Sequence, residues 1–469
     1  MPELPEVETV VKTLRPILLG STLSSISTDY EKMFHPSFKA FEKDLKGQAF
    51  KKIDRIGKFI IFFFDRGSVV VSHLRMEGKF IELKDKQSPL SRFCHVVFTL
   101  SDGRRLIYDD MRKFGTFTLT NSKDYLQLAS LKNLGQEPLN DIDPNVIYQN
   151  IHRSIRPIKS ILLDQTILLG LGNIYADEVL FASRIHPLTK GRDLTLTQIK
   201  DILSHSKRIL LEAIASGGSR IRSYRSGHAI DGAFTLKIKA YGKDGEACER
   251  CHHRLDKIMV GGRGTHYCPR CQHHPDLPFV IGVTGTIATG KSALLSVGKT
   301  LGFSTISADD IVGEIYKTKP AISKIRSLFP HAIINHQIDR TLLLGSLITH
   351  SQDYHRLMVW LFPLVKDRIY AALIKTKAKV VLVEVPLLFQ SNLDAYCDVI
   401  IGIDMNASLQ KERLIKRQKN HAEQLWLLNE RNHYLDYVQW IDHRLTNEGS
   451  VDAWEKKSEA ILKPYLKYL

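Results

Sequence analysis

Cys248-Glu-Arg-Cys251 and Cys268-Pro-Arg-Cys271 are followed, after Gln272-His-His-Pro-Asp-Leu-Pro278, by Phe279-Val-Ile-Gly-Val-Thr284 and Gly285-Thr-Ile-Ala-Thr-Gly290-Lys291-Ser292. Two chemistries meet in this stretch. The C-x2-C pairs are separated by sixteen residues, a spacing at which four thiolates can close a tetrahedron around one zinc ion. Only Cys94 and Cys397 lie outside the array and nothing argues for secretion, so structural zinc is favoured over a disulfide or redox pair. The G-x4-G-K-S pattern sits between an apolar, buried-type strand and an expected helix over Lys291–Thr300, the setting of a phosphate loop. One module therefore ends where a second begins, and the second is expected to bind a nucleotide.

At 469 residues with 43% hydrophobic content the chain is globular and too long for one ordinary core, so two or more domains are expected. The net charge of +16 is uneven, with +11 of it in residues 1–277. A basic first half beside a zinc module points to a polyanionic partner. The start, Met1-Pro-Glu-Leu-Pro-Glu6, is acidic and no run of 18 apolar residues follows, which predicts a soluble, intracellular protein without a membrane partner.

Val7, Val10, Val11, Leu14, Ile17 and Leu18 recur at helical spacing from Pro5, and Gly20 suits the residue past a helix end. Strand-like runs follow. Phe59–Phe64 and Val69–Leu74 flank an Asp65-Arg-Gly turn, and His95–Leu100 and Arg105–Tyr108 flank Asp102-Gly103, so an antiparallel β-domain is expected over residues 20–120. From about Tyr125 the pattern turns helical, with Ile199, Ile202, Leu203, Leu210, Ala213 and Ile214 on one stripe that ends at Gly217-Gly218. Beyond the phosphate loop, β-rich Val380–Val385 and Val399–Ile403 alternate with charged helical segments, as in a parallel α/β fold.

Proline at position 2 has chemical consequences. Removal of Met1 exposes a secondary amine whose pKa near 8 leaves roughly a tenth unprotonated at neutral pH. Such an amine can attack a sugar C1′, expel the base and form an iminium that permits strand cleavage by elimination, with Glu3 beside it to move protons.

Pro2-Glu-Leu-Pro-Glu-Val-Glu-Thr9, Gly57-Lys58, His73-Leu-Arg-Met76, Arg112-Lys-Phe-Gly115, Gly170-Leu-Gly-Asn-Ile-Tyr-Ala-Asp-Glu178 and Gly262-Arg-Gly-Thr-His-Tyr-Cys-Pro-Arg-Cys-Gln272 stand in this order. In that order they resemble bacterial formamidopyrimidine-DNA glycosylases over residues 2–272. The resemblance implies a bifunctional glycosylase/lyase for oxidised purines in damaged double-stranded DNA, built from a β-sandwich, a helix-two-turn-helix domain and a zinc β-ribbon held by Cys248, Cys251, Cys268 and Cys271. It implies Pro2 as Schiff-base nucleophile, Glu3 as acid/base and Lys58 as a proton donor near the phosphate backbone. Met76, Arg112 and Phe114 match residues that fill the gap left by a rotated-out nucleotide. Asn173, at an expected helix start, and Arg263, on the ribbon, match phosphate-binding positions. Lys113, Gln136 and Phe93 depart from common family residues. Residues 217–234 match the base-recognition loop in placement.

Residues 279–462 resemble dephospho-coenzyme A kinase through Gly285–Ser292, Ile306-Ser-Ala-Asp309, Val383-Glu-Val-Pro-Leu-Leu-Phe389, the Arg413/Arg417 pair and Asn447-Glu-Gly449. The resemblance implies ATP and Mg²⁺ as cofactors and dephospho-coenzyme A as acceptor. Gly285, Gly290 and Lys291 would cradle phosphates, Ser292 would hold Mg²⁺, Asp309 would activate the acceptor, Arg413 and Arg417 would cover the transferring phosphoryl group, and Asn447 would complete the nucleotide site. Thr286, Ala288, Thr289, Ser307, Phe362 and Gln390 depart from the family's usual residues, which predicts ATP binding with slow or absent transfer to the acceptor.

The expected architecture is thus multidomain, α+β then α/β. It comprises a catalytic β-sandwich over 1–124, a helix-two-turn-helix domain over 125–235, a zinc ribbon over 236–272 and a phosphate-loop kinase-like domain of parallel α/β type over 279–469. The expected function is base-excision repair of oxidised purines in the bacterial cytoplasm, nucleoid-associated on DNA, with a C-terminal dephospho-coenzyme A kinase domain. Rival readings are a non-catalytic damage-binding protein and a repair enzyme gated by nucleotide.

Overall fold

A computed structural model describes residues 2–83, 87–218, 238–349, 351–417, 422–430 and 434–469. It forms two compact units, Met1–Glu246 with Leu255–Tyr267, and Ala247–Arg254 with Cys268–Leu469. Most of the expected base-recognition loop, from residue 219 onward, lies outside the described residues.

The first unit opens with the helix Leu4–Leu18, started by a capping box in which Glu3 and Glu6 reciprocally bond backbone amides, with proline in the first turn. Val7, Val10, Val11, Leu14 and Leu18 are buried and belong to the core of a β-sandwich. One sheet runs Leu23–Thr28, Cys94–Leu100, Arg105–Asp109, Lys79–Leu83; the other runs Phe34–His35, Thr116–Asn121, Ser68–His73, Phe59–Phe64, Phe50–Ile56. All pairings are antiparallel except that of the two-residue strand Phe34–His35. Phenylalanines from both sheets interlock around Phe117, whose ring lies 5.0 Å from Tyr108, 5.4 Å from Phe34 and 5.8 Å from Phe98.

Helices Pro144–Ile151, Ile158–Leu162, Asn173–Ser183 and Leu196–Ala215 form a second layer. Its apolar core takes in Leu4 as well as Ile174, Tyr175, Ile199, Leu210 and Ala213. Leu4 packs into the helical core while Val7 packs into the sandwich. The amino terminus is consequently fixed at the seam of the two layers, where no local signal in the sequence would place it. A hairpin, Asp256–Val260 with Arg263–Tyr267, turns through Gly261 and Gly262 at φ +56° and +73°, the positive values that a two-residue hairpin turn of this hand demands.

The second unit carries a five-stranded parallel sheet in the order Ser304–Ser307, Val380–Glu384, Phe279–Gly285, Val399–Asp404, His443–Thr446. Phe279–Gly285 is central, and separate apolar cores cover the two faces of the sheet. In such doubly wound sheets the crevice beyond the carboxyl ends of the central strands is the ligand site. Here Gly285 delivers the phosphate loop into it. Among the described residues no helix is long and apolar enough to cross a membrane.

Candidate functional site

Glu3 is 2% exposed, and its carboxylate is the hub of the first site. Oε2 accepts Gly172 N–H at 2.6 Å and Tyr175 N–H at 3.3 Å, while Oε1 accepts Ile174 N–H at 2.9 Å. These are the unpaired donors at the start of the helix Asn173–Ser183, where a negative charge is favoured. Burial nonetheless pushes the Glu3 carboxyl up. Lys58 pulls it back, Glu6 pushes it further, and the Ile174 and Gly172 amides oppose. Neighbouring Glu6 accepts from Glu3 N–H at 2.9 Å and from Tyr175 Oη at 2.7 Å. Pro2 is buried beside this network.

Lys58 follows Gly57, whose amide donates to Glu137 Oε2 at 3.1 Å. Arg55 joins Glu137 and Glu8 by ion pairs of 2.5 and 2.8 Å, with its own side chain 7% exposed. This triad fixes the turn that aims Lys58 inward. Its Nζ donates to Leu171 O at 2.7 Å. Burial lowers the Lys58 pKa, the Glu3 and Glu6 carboxylates raise it, and Arg263 lowers it again. Lys58 thus feels the charge of both acids and of the hairpin arginine.

Asn173 starts its helix as expected, but Ile174 and Tyr175, whose amides the helix start was expected to offer to a phosphate, give them to Glu3. The Asn173 side chain donates to Gly264 O at 2.9 Å, tying the helix start to the residue after exposed Arg263. A fully buried ion pair supports this junction. Lys159 Nζ lies 2.6 Å from Asp177 Oδ1 and 2.8 Å from Asn173 O, and Asp177 Oδ2 accepts His266 N–H at 2.9 Å. The sequence reading missed Lys159 and Asp177, since nothing local distinguishes them from other charged residues on helices.

Met76, Arg112 and Phe114 come together at the surface. Arg112 Nη1 lies 2.9 Å from Met76 Sδ, and its guanidinium lies 4.8 Å from the Phe114 ring centre. Met76 is 38% and Phe114 50% exposed, although side chains of these types are usually core. Buried Asp110 holds the loop that presents them, accepting from Arg112 N–H at 3.1 Å and Gly115 N–H at 2.7 Å. Of the departures, Gln136 has a structural use: its N–H donates to Ile167 O at 3.3 Å, a bond that a proline cannot make.

The four cysteine sulfurs lie within 4.8 Å of one another, with Cys248–Cys271 at 3.9 Å and Cys251–Cys268 at 3.5 Å. Sulfurs about 2.3 Å from a common centre stand close to these separations, so the donor set fits one tetrahedral zinc ion. Backbone amides of Arg250 and Cys271 point at Cys248 and Cys268 sulfurs at 3.5 and 3.4 Å, as suits thiolate ligands.

In the second unit the phosphate loop passes from Gly285, at φ +146°, to Gly290, at φ +103°. A Cβ on Gly285 would meet Ile403 O at 2.4 Å. Lys291 Nζ donates to Gly285 O at 3.0 Å and Thr286 O at 2.7 Å. The loop's substituted threonines take part in its bonding: Thr289 Oγ1 donates to Thr286 O at 2.9 Å, and Gln410 Nε2 donates to Thr286 Oγ1 at 3.0 Å. Asn447 Nδ2 donates to Thr289 O at 2.8 Å, and Ile287 N–H donates to Asn429 Oδ1 at 2.9 Å.

A cavity of about 640 Å³ opens over this loop, lined by Gly290, Lys291, Ser292, Asp309, Glu384, Arg413 and Arg417 on its polar side and by Leu347, Tyr354, Met358, Leu387 and Leu425 on its apolar side. Six of the residues chosen from sequence thus face one space, while Asn447 supports the loop from behind. Glu384, missed as a site residue, is the second acid there, and unlike exposed Asp309 it is buried. It ends its strand opposite Ser307, whose hydroxyl bonds its carboxylate. Burial raises the Glu384 pKa while Lys291 lowers it.

Four family descriptions match along the chain: "Formamidopyrimidine-DNA glycosylase N-terminal domain" over residues 1–117, "Formamidopyrimidine-DNA glycosylase H2TH domain" over 134–225, "Zinc finger found in FPG and IleRS" over 245–273 and "Dephospho-CoA kinase" over 279–452. The formamidopyrimidine-DNA glycosylase of Exiguobacterium sibiricum is 45% identical over 275 residues, covering 57% of this chain and 97% of that protein. That of Streptococcus thermophilus is 43% identical over 267 residues with the same coverage. Among solved structures, Lactococcus lactis Fpg in complex with abasic-site DNA superimposes at TM-score 0.56 and 38% identity, over 58% of this chain and 100% of that one. A MutM complex with DNA containing carbocyclic 8-oxo-G gives 0.55 at 38%. With the Glu3, Lys58 and zinc geometry in place and nearly the whole length of these relatives covered, the chain belongs to the formamidopyrimidine-DNA glycosylase family, extended by a dephospho-CoA kinase domain.

Proposed function

We infer that the first unit excises oxidised purines from duplex DNA and then cleaves the strand, with Pro2 as nucleophile once Met1 is removed. The carrying observation is the buried Glu3 carboxyl held at a helix start beside Lys58. Solved relatives in complex with abasic, Fapy-dG and 8-oxo-G DNA support the substrate class.

The Pro2 amine attacks C1′ as the C1′–N bond breaks and the base departs with that bond's electrons. Loss of a proton from the nitrogen and opening of the sugar ring give an iminium. Proton abstraction from C2′ then expels the 3′ phosphate by elimination. Glu3, raised by burial, is the group to shuttle protons at the sugar. Lys58 supplies positive charge near the phosphates, Arg263 and Asn173 are assigned to backbone contacts, and Met76, Arg112 and Phe114 to the vacated stack. The damaged DNA of the bacterial chromosome would be the place of action.

Borohydride in the presence of an 8-oxoguanine duplex should trap a covalent protein–DNA adduct. Trapping by protein in which Met1 is demonstrably retained would rule Pro2 out.

In the second unit Lys291 and the loop amides would hold the phosphates of ATP, Ser292 the Mg²⁺, and Arg413 and Arg417 the transferring group. Asp309 would orient the ribose 3′-hydroxyl of dephospho-CoA. The apolar wall of the cavity suits the non-polar parts of such an acceptor. Calorimetry should detect Mg²⁺-dependent ATP binding that is lost in Lys291→Ala. A coupled assay should detect coenzyme A formation that is lost in Asp309→Asn. An absence of ATP binding by the native chain would sink this reading.

A further inference from the structure

Three side chains that flank the cysteine ligands each end on an aspartate of the parallel-sheet unit. His253, two residues after Cys251, places Nδ1 2.9 Å from Asp394 Oδ2, with the side chains 6% and 3% exposed. Arg270, between Cys268 and Cys271, places Nη2 2.6 Å from both oxygens of Asp442 and donates from Nη1 to Trp440 O at 3.1 Å. His273, two residues after Cys271, places Nδ1 2.7 Å from Asp398 Oδ1.

Two of these acids also close the sheet. Asp398 Oδ2 accepts Val280 N–H at 2.7 Å, and Asp398 N–H returns to Val280 O at 2.8 Å. Asp442 Oδ2 accepts Ile400 N–H at 2.9 Å, and Asp442 N–H returns to Ile400 O at 3.0 Å. Val280 and Ile400 lie at the amino ends of the two central strands, opposite the end from which Gly285 delivers the phosphate loop. The same carboxylates that fasten those strand ends are thus occupied on their other side by residues whose backbone the cysteines hold.

We propose that the four-cysteine knuckle is a structural part of the nucleotide-binding unit, so that zinc occupancy sets how firmly the amino ends of its central strands are held. The proposal rests on the structural-zinc reading. Metal ligation fixes the two C-x2-C turns and thereby Arg270, His253 and His273. Without it these short turns have no core of their own to hold those side chains, and the Asp394 carboxylate, 3% exposed, is costly to leave without its partner.

The test uses the full chain under reducing conditions, with zinc quantified. Removing the metal by chelation should speed amide exchange at Val280 and Ile400 at least tenfold. Arg270→Ala should keep one zinc per chain, yet speed exchange at Ile400 and lower the unfolding midpoint of the ATP-stabilised transition by about 5 °C. Asp442→Asn should do the same from the other side. A native chain that holds zinc, loses it to chelator and shows unchanged exchange at both amides overturns the proposal while leaving the zinc reading intact. A native chain that holds no zinc overturns both. Unchanged exchange in zinc-loaded Arg270→Ala also overturns the proposal.

Discussion

Gly172 N–H donates to the Glu3 carboxylate at 2.6 Å across 169 residues of chain, and the absence of a side chain at Gly172 is what permits the approach. A Cβ there would stand 2.4 Å from Glu3 Cδ. The backbone at Gly172, with φ −127° and ψ −156°, is open to any residue, so the effect of Gly172→Ala is steric displacement of Glu3. Single-turnover base excision should fall roughly a hundredfold, as displacements of about an ångström do to catalytic groups. Affinity for a lesion duplex should stay within about threefold, since Gly172 is not among the groups assigned to DNA contact. Unimpaired excision in a folded variant would remove Glu3 from its assigned role.

His73 offers a pH test of the wall beside Lys58. Burial first, then Arg75 and Lys58, depress its pKa from 6.5 to about 3, and Nδ1 accepts Arg75 N–H at 2.8 Å. A depressed folded value means that the unfolded chain takes the proton more readily. This contribution to stability is therefore complete above pH 6.5 and is lost as pH falls toward 3, by up to about 1.4 kcal/mol per unit. The His73 ring resonances should show no titration between pH 7 and 4. A ring that titrates near 6.5 would show that Lys58 faces a solvated wall.

Much of this was legible beforehand, for reasons that differ by element. The strand Phe59–Phe64 and the helix Lys291–Thr300 fall where expected, since period and flanking turns are local properties. The strand expected at Val69–Leu74 runs Ser68–His73, because pairing with Asn121 recruits Ser68. Arg55–Glu137, Lys159–Asp177 and Arg270–Asp442 were not legible. Each is an ordinary charged pair until the fold brings residues 82, 18 and 172 positions apart within bonding distance. Glu384 was visible as part of a motif, but only the register opposite Ser307 turns it toward the phosphate loop.

Phe114 should separate DNA recognition from stability. Its ring is half exposed and is covered on one face by Arg112, so Phe114→Ala should change the unfolding free energy by no more than about 0.5 kcal/mol. Loss of a stacking surface should weaken binding to an abasic or 8-oxoguanine duplex by about 1–3 kcal/mol. Undamaged duplex, in which no base leaves the stack, should lose less. Titration of labelled duplexes at one salt concentration measures all three, and an equal loss on damaged and undamaged DNA would assign Phe114 to backbone contact instead.

Glu384 should control the protonation of Lys291. The lysine is 7% exposed at the base of the cavity, and burial lowers its pKa while Glu384 and Asp309 raise it and Arg417 lowers it. Glu384→Gln keeps the side chain's size and removes one of the two supporting charges, so the Lys291 pKa must fall further. In the role proposed for it the ammonium stabilises charge on the β- and γ-phosphates during transfer, and a neutral amine at that position would do so poorly. The alkaline limb of the phosphoryl-transfer pH profile should therefore move to lower pH in Glu384→Gln. Near neutrality ATP affinity should fall by less than tenfold, because the loop amides still cradle the phosphates. Asp309→Asn removes the second supporting charge and also the group proposed to orient the acceptor, so it should depress the whole profile as well as shift it. Coincident alkaline limbs in native and Glu384→Gln protein would show that the carboxylate acts elsewhere in the cavity.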